Sequence, residues 1–211
     1  MKRTLLFILA IFLVCFFIKS PQGLIFPMWI LTYLYKEKLK LITDRFPLPL
    51  AFILSGIFFG LLTESFAILE NINKPMTERI LLHPDPLHDL LMALFYYSLF
   101  IITWYLILRK IRFSKRSVFI MSGIFGVLSE QGGAIAYGVV ADPFLGTLMA
   151  LLVMSVYGVF PLLAYMITKG RFVGGKKPHI KHYAITAFAF FLFFAIYGNF
   201  VHKALLAFFS S

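Results

Sequence analysis

The chain has 211 residues, 61% of them hydrophobic and 14% charged, where an ordinary soluble domain carries about 25% charge. Water cannot solvate such a surface, so a soluble enzyme or signalling module is excluded and an integral membrane protein is indicated, in agreement with a mean hydropathy of +0.90. The formal charge of +11 is spread too unevenly to read as a nucleic-acid footprint, and the single cysteine, Cys15, excludes an internal disulfide.

The N-terminal stretch MKRTLLFILAIFLVCFFIKS has the basic-then-apolar layout of a signal sequence. It lacks a small-x-small cleavage site, and Val14 stands where a lipoprotein signal ending on Cys15 needs a small residue. A retained anchor is the expected outcome. Further apolar runs follow, giving segments at about 5–18, 23–35, 49–69, 87–108, 118–140, 144–167 and 184–208. The last five approach the roughly 20 residues that a spanning helix needs. The first two are shorter and predict a tight hairpin around SPQG or segments partly in the interface.

These runs predict an all-α polytopic transmembrane bundle of about seven helices forming a single integral membrane domain over 1–211. Within it, 1–47 supplies N-terminal anchor helices, 48–116 a first repeat, 117–170 a second, and 183–209 a C-terminal helix. Sixteen of the 20 basic residues fall at the N-terminus (Lys2, Arg3) and in the loops after the second, fourth and sixth runs. The positive-inside rule then predicts a cell-membrane protein with a cytoplasmic N-terminus and an extracytoplasmic C-terminus. That parity survives if neither of the first two runs crosses. Of the acids, only Glu37 and Asp44 share the basic side. Glu64, Glu70, Glu78, Asp85, Asp89, Glu130 and Asp142 lie in or beyond the opposite halves of the helices.

The repeat is read from SGIFFGLLTE, ending on Glu64, and SGIFGVLSE, ending on Glu130. Gly56, Gly60 and Glu64 recur at four-residue intervals, as do Ser122, Gly126 and Glu130, so each set shares one helix face. Small residues at this spacing allow close helix approach in a membrane. The two copies are therefore expected to pack on one another and to bring both glutamates into one outward-facing pocket. Each copy continues into a helix that opens on Asp-Pro, at Asp85 and Asp142, with Leu-Met-Ala-Leu starting six residues later. Asp before Pro reads as a helix cap.

Glu64, Glu130, Glu70 and His88 are the candidate catalytic groups, because an ionisable side chain inside a bilayer ordinarily faces a cavity or a partner. The stretch HPDPLHD, with Glu70 behind it and His202 near the end of the last helix, supplies His83, Asp85, His88, Asp89, Glu70 and His202 as candidate ligands of a divalent metal. Lys203 reads as a snorkelling residue, and His179 and His182 as solvated. The segment SFAILEN followed by His88 resembles elements of PrsW-type membrane proteases, with Ser65 where that pattern has glycine. That family's second acidic element would fall on KEKLK (36–40), which lacks the first glutamate and lies on the opposite side by charge, so the family is not assigned.

Three functional readings follow. One is a membrane-embedded enzyme, a hydrolase or a lipid- or isoprenoid-modifying protein, acting on a lipid or apolar small molecule through an outward Glu/His site. Another is a small proton- or cation-coupled transporter or channel using the repeat glutamates. The last is a non-catalytic scaffold. The bilayer is the expected partner, and nucleic acid is not. The topology is checked by reporter fusions: one after Arg116 should read cytoplasmic and one after Ser211 extracytoplasmic.

Overall fold

The computed structural model describes residues 2–209, so Ser211 lies outside the described residues. The architecture is all-α, in seven rods. α1 (Lys2–Phe16) and α2 (Ile25–Thr43) form a hairpin through two short 3₁₀ turns, Phe17–Lys19 and Pro21–Leu24. α3 (Leu48–Asn71) and α4 (Pro86–Lys110) pair next. The fifth rod is α5 (Lys115–Ser129) and α6 (Ala134–Ala141), the sixth is α7 (Pro143–Thr168), and the last is α8 (Ile180–Ile196), which runs through a π-turn at Tyr197–His202 into α9 (Lys203–Phe209).

Five rods are long and apolar enough to cross a membrane: Leu48–Asn71, Pro86–Lys110, Lys115–Ala141, Pro143–Arg171 and Ile180–Phe209. The N-terminal hairpin is not among them. α1 has 15 residues and so extends about 22 Å against a hydrocarbon core of about 30 Å. α2 is longer, but its second half carries Lys36, Glu37, Lys38 and Lys40.

The bundle is built around α7, which packs on α2, α3, α5 and α6. From Gly158 to Thr168 every residue of α7 is buried, so this run is enclosed on all sides. Pro161 lies within this run. It has no N–H, so the carbonyl of Tyr157, four residues earlier, loses its helical donor. Around α7 an aromatic core of Phe100, Trp104, Phe125, Phe160, Phe190 and Phe193 joins α4, α5, α7 and α8. Away from this core the rods present apolar side chains outward, as with Phe12, Phe188 and Phe200, each more than half exposed. Lipid is the solvent that such a surface requires.

The small-residue stripes pack differently from the sequence expectation. α3 and α5 are not packing partners: α3 lies against α4 and α7, and α5 against α7. A side chain at Gly56 would strike Ile101 and one at Gly60 would strike the base of the Tyr97 ring, both on α4. Gly123 and Gly126 receive Met154 and Tyr157 of α7 in the same way. Ser122 has another task, accepting a hydrogen bond from Trp104 Nε1 at 2.8 Å. Each stripe thus serves the next long helix of its own copy, α4 for α3 and α7 for α5, with an aliphatic side chain and a tyrosine ring filling the two grooves of each.

A second departure concerns the apolar run at 118–140, which reads as one helix. It is broken directly after Glu130, where Gln131, Gly132 and Gly133 all take positive φ (49°, 66° and 92°). Two glycines make this left-handed stretch accessible, since they lack the Cβ that opposes it. α6 then closes on α7 with Gly138 and Gly146 backbone to backbone.

The rings over the glycines make the packing testable. Gly60→Val and Gly126→Val should each destabilise the bundle by about 1–3 kcal/mol through overpacking. Gly170→Ala, where an added Cβ meets nothing within 4 Å, should leave it unchanged. Thermal unfolding in detergent, followed by circular dichroism, measures both.

Candidate functional site

The buried polar groups collect on the Asp85 side of the bundle. Glu64 is seven residues from the end of α3, about 10 Å along its axis. Its Oε2 accepts a hydrogen bond from Tyr97 Oη on α4 at 2.7 Å. Glu130, at the end of α5, accepts one from Tyr157 Oη on α7 in the same manner. The tyrosines that hold the glutamates are those whose rings sit on Gly60 and Gly126. Glycine, tyrosine and glutamate therefore form one local unit, and it occurs twice.

Between the two units stands Tyr96. Its ring meets those of Tyr97 (5.5 Å), Tyr157 (6.4 Å) and Tyr197 (5.1 Å). Its buried hydroxyl has no hydrogen-bond partner among the described residues, although Tyr157 and the charge of Glu130 lie beside it. Tyr197 opens the π-turn and donates to the carbonyl of Met92 at 3.1 Å.

Asp89 joins Glu64 from the other side. It is fully buried, and its carboxyl lies alongside that of Glu64. Asp89 Oδ1 accepts from the His83 amide at 3.0 Å, whereas Oδ2 has no donor among the described residues. The loop before α4 delivers that amide. Arg79 ties the loop by donating to the carbonyls of Ile72, Lys74 and Pro84, and Asn71 accepts from the Ile80 amide at 3.2 Å. The longer connection of the first helix pair is thus a folded cover over the Glu64–Asp89 carboxyls.

At the mouth of this cover lie His83, Asp85 and His88, whose potential ligand atoms are all within 4.8 Å of one another. This trio is the group that could hold a divalent ion. His83 Nδ1 already accepts from the Asp85 amide at 3.0 Å, so that nitrogen would have to give up its bond to bind metal. His88 Nδ1 is 3.6 Å from Asp85 Oδ1, and the His88 ring stacks on Phe209 of α9 at 4.1 Å.

The remaining sequence candidates separate. Glu70 is turned toward the N-terminal hairpin, accepting from Ser20 Oγ at 3.3 Å and from the Gln22 amide at 3.4 Å, and is not brought to His88. His202 packs on Tyr197 at 5.9 Å, near enough to His83 to feel its charge. Asp85 and Asp142 act as caps, accepting from Leu87 and His88 and from Leu145 respectively.

The tyrosines escape a sequence reading, and Asp89 is read from sequence only as a possible metal ligand, not as the partner of Glu64. Asp89 lies four residues after Asp85, and so one turn further along α4. The tyrosines are hidden by a shift of register. Counted from Leu-Met-Ala-Leu, Tyr97 lies six residues on and Tyr157 nine. A three-residue offset keeps the face of a helix but moves one turn along it, so aligning the two copies pairs Tyr97 with Met154. Comparison with known protein families, with curated proteins and with solved structures finds no match to this chain.

The cap at Asp85 gives a pH test. The His88 amide, with that of Leu87 in support, holds the Asp85 carboxyl below the usual aspartate range. A value lowered by folding means that the cap's contribution is complete above the unfolded pKa and is lost as pH falls through the folded one. Between about pH 5 and pH 2, thermal stability should fall more steeply in the native chain than in Asp85→Asn, which caps without titrating. The difference should shrink in high salt, because Asp85 is solvent-exposed.

Proposed function

We propose that this multi-pass membrane protein handles protons, alone or coupled to a cation, through the carboxyl groups of Glu64, Asp89 and Glu130. The observation that carries the reading is the pairing of Asp89 with Glu64, in which Asp89 Oδ2 is buried, lacks any other donor and faces a second carboxyl. Two carboxyls that meet away from water cannot both ionise, and one proton held between them supplies the missing hydrogen bond. Such a pair takes up and releases a single proton. Tyr97 steadies the Glu64 end, and the line of hydroxyls through Tyr96 and Tyr157 leads toward Glu130.

The break at Gln131–Gly133 supports the same reading. Unwound backbone beside a carboxylate is tolerated at membrane depth where it lines a polar path, and discontinuous helices commonly frame ion sites in transporters. In this reading the two glycine–tyrosine–glutamate units are the two halves of a parallel internal repeat. The acidic half faces outward from the cell membrane, and the N-terminus is cytoplasmic. The grouping of His83, Asp85 and His88 supports a second reading, a metal-dependent membrane enzyme acting on a lipid or apolar substrate at the outer rim. It requires bound metal, which the proton reading does not.

Proton flux decides between them. In proteoliposomes under an imposed potassium diffusion potential, the native protein should carry protons detectable by an internal pH dye. Glu64→Gln and Asp89→Asn should reduce the flux to that of protein-free vesicles, and Glu130→Gln should lower it at least tenfold, all with helix content retained, since amides keep shape and hydrogen bonding without ionising. Native flux from variants that remain folded would remove the proposal. Stoichiometric zinc or manganese lost in His83→Ala or His88→Ala would favour the enzyme.

A further inference from the structure

The opposite end of the bundle carries a feature that proton handling does not use. The chain's basic loops converge there: Arg171 donates to the carbonyls of Thr43 and Phe46, and the Arg112 amide donates to the Lys176 carbonyl at 2.8 Å. Between the end of α7 and the start of α5 this convergence leaves a cleft of about 390 Å³. Four cations line it, Lys40, Arg112, Lys115 and Lys169, together with Tyr165, Met166, Phe172 and Val173, and no carboxylate does.

The charges in the cleft are only partly balanced by the protein. Arg171 has Asp44 at 3.8 Å, and Lys40 has Glu37 at 3.1 Å. Arg112, Lys115 and Lys169 have no ion pair among the described residues. Lys115 lies within electrostatic reach of three cations, Lys36, Lys169 and Lys40, against one carboxylate, Glu37, and Lys169 Nζ rests 5.7 Å from the centre of the Tyr165 ring. Like charges gathered around one cleft repel, and an anion placed among them removes that cost. α5 also begins here, capped by Ser114, so the positive end of its dipole adds to the field.

We propose that this cleft binds the phosphate headgroup of an anionic membrane lipid. Arg112, Lys115 and Lys169 would engage the phosphate oxygens, while Met166, Phe172 and Val173 would meet the glycerol and the first part of the acyl chains. Lipid is favoured over a soluble phosphate by position. The cleft lies where two spans emerge, beginning at Lys115 and ending at Arg171, which is the level of the headgroups. Its wall is apolar on one side, and Val173 is 81% exposed at its edge. Basic pockets between spanning helices on the positive face are suited to such headgroups.

The test uses the full chain in phosphatidylcholine nanodiscs containing a minor fraction of spin-labelled phosphatidylglycerol, with the immobilised fraction read by electron paramagnetic resonance. The native protein should immobilise phosphatidylglycerol in preference to spin-labelled phosphatidylcholine. The double variant Lys115→Gln, Lys169→Gln should lower that preference by about tenfold, from the loss of two headgroup cations. Lys115→Arg, Lys169→Arg should restore it and show that the fold tolerates change at both sites. Lys177→Gln, Lys181→Gln removes equal charge from the same face outside the cleft and should leave the preference intact. An equal loss in that control would mean diffuse attraction and overturn the site. Displacement of the labelled lipid by millimolar inorganic phosphate would overturn the lipid assignment, making this a site for soluble phosphate.

Discussion

A carboxyl group inside a membrane must be given a hydrogen-bond donor by the protein, and the two tyrosine–glutamate bonds that meet this demand organise the bundle. An acidic residue at the centre of a spanning helix costs about 2.5–3.5 kcal/mol on insertion scales. Tyr97 reaches Glu64 and Tyr157 reaches Glu130 only because the helices carrying them approach closely. Close approach in turn requires Gly60 and Gly126, on which the tyrosine rings lie. The glycines are therefore not independent packing devices. They set the helix separation at which a phenol can serve a carboxyl one turn away.

From that constraint the arrangement of the other helices follows. α7 supplies Tyr157 to α5 and also packs on α3, which makes it the element shared by both units. Sharing it buries α7 more than any other span, and its Pro161 and the break after Glu130 fall beside the second unit. The first unit has a continuous α3 and a folded loop, held by Arg79, that sets the His83 amide on Asp89. The same tyrosine–glutamate bond is thus bordered differently in the two units, by broken backbone in one and by a covering loop in the other.

The two ends of the bundle divide the charge. Most carboxyls gather toward one end with His83, His88 and His202, while most cations gather at the other and clamp its loops together through Arg171 and the Arg112–Lys176 backbone pairing. The proposed proton pair lies in the enclosed, tyrosine-rich interior. The proposed headgroup site lies among the cations of the basic end. The aromatic core around Phe100 and Trp104 separates the two regions.

Much of this was legible in the residues themselves. Hydropathy and length determine the all-α membrane bundle and the five principal spans, since only helices and closed barrels satisfy a backbone in lipid and continuous apolar runs of about 20 residues fit helices, not strands. The spacing of glycine and glutamate determines that each carboxyl shares a face with a packing groove, and Asp before Pro determines where α4 and α7 begin. Tertiary structure decided the partners. A glycine stripe specifies that something approaches closely without specifying which helix, so α3 and α5 find α4 and α7 and not one another. Tyr97 and Tyr157 reach their carboxylates from positions whose register differs by one turn between the copies, and Asp89 meets Glu64 from the neighbouring helix. Glu70, one and a half turns beyond Glu64, faces the N-terminal hairpin instead, because 100° of rotation per residue carries it away from that face. Sequence periodicity reports the face of one helix, and a site assembled from several helices depends on how those faces are turned toward each other.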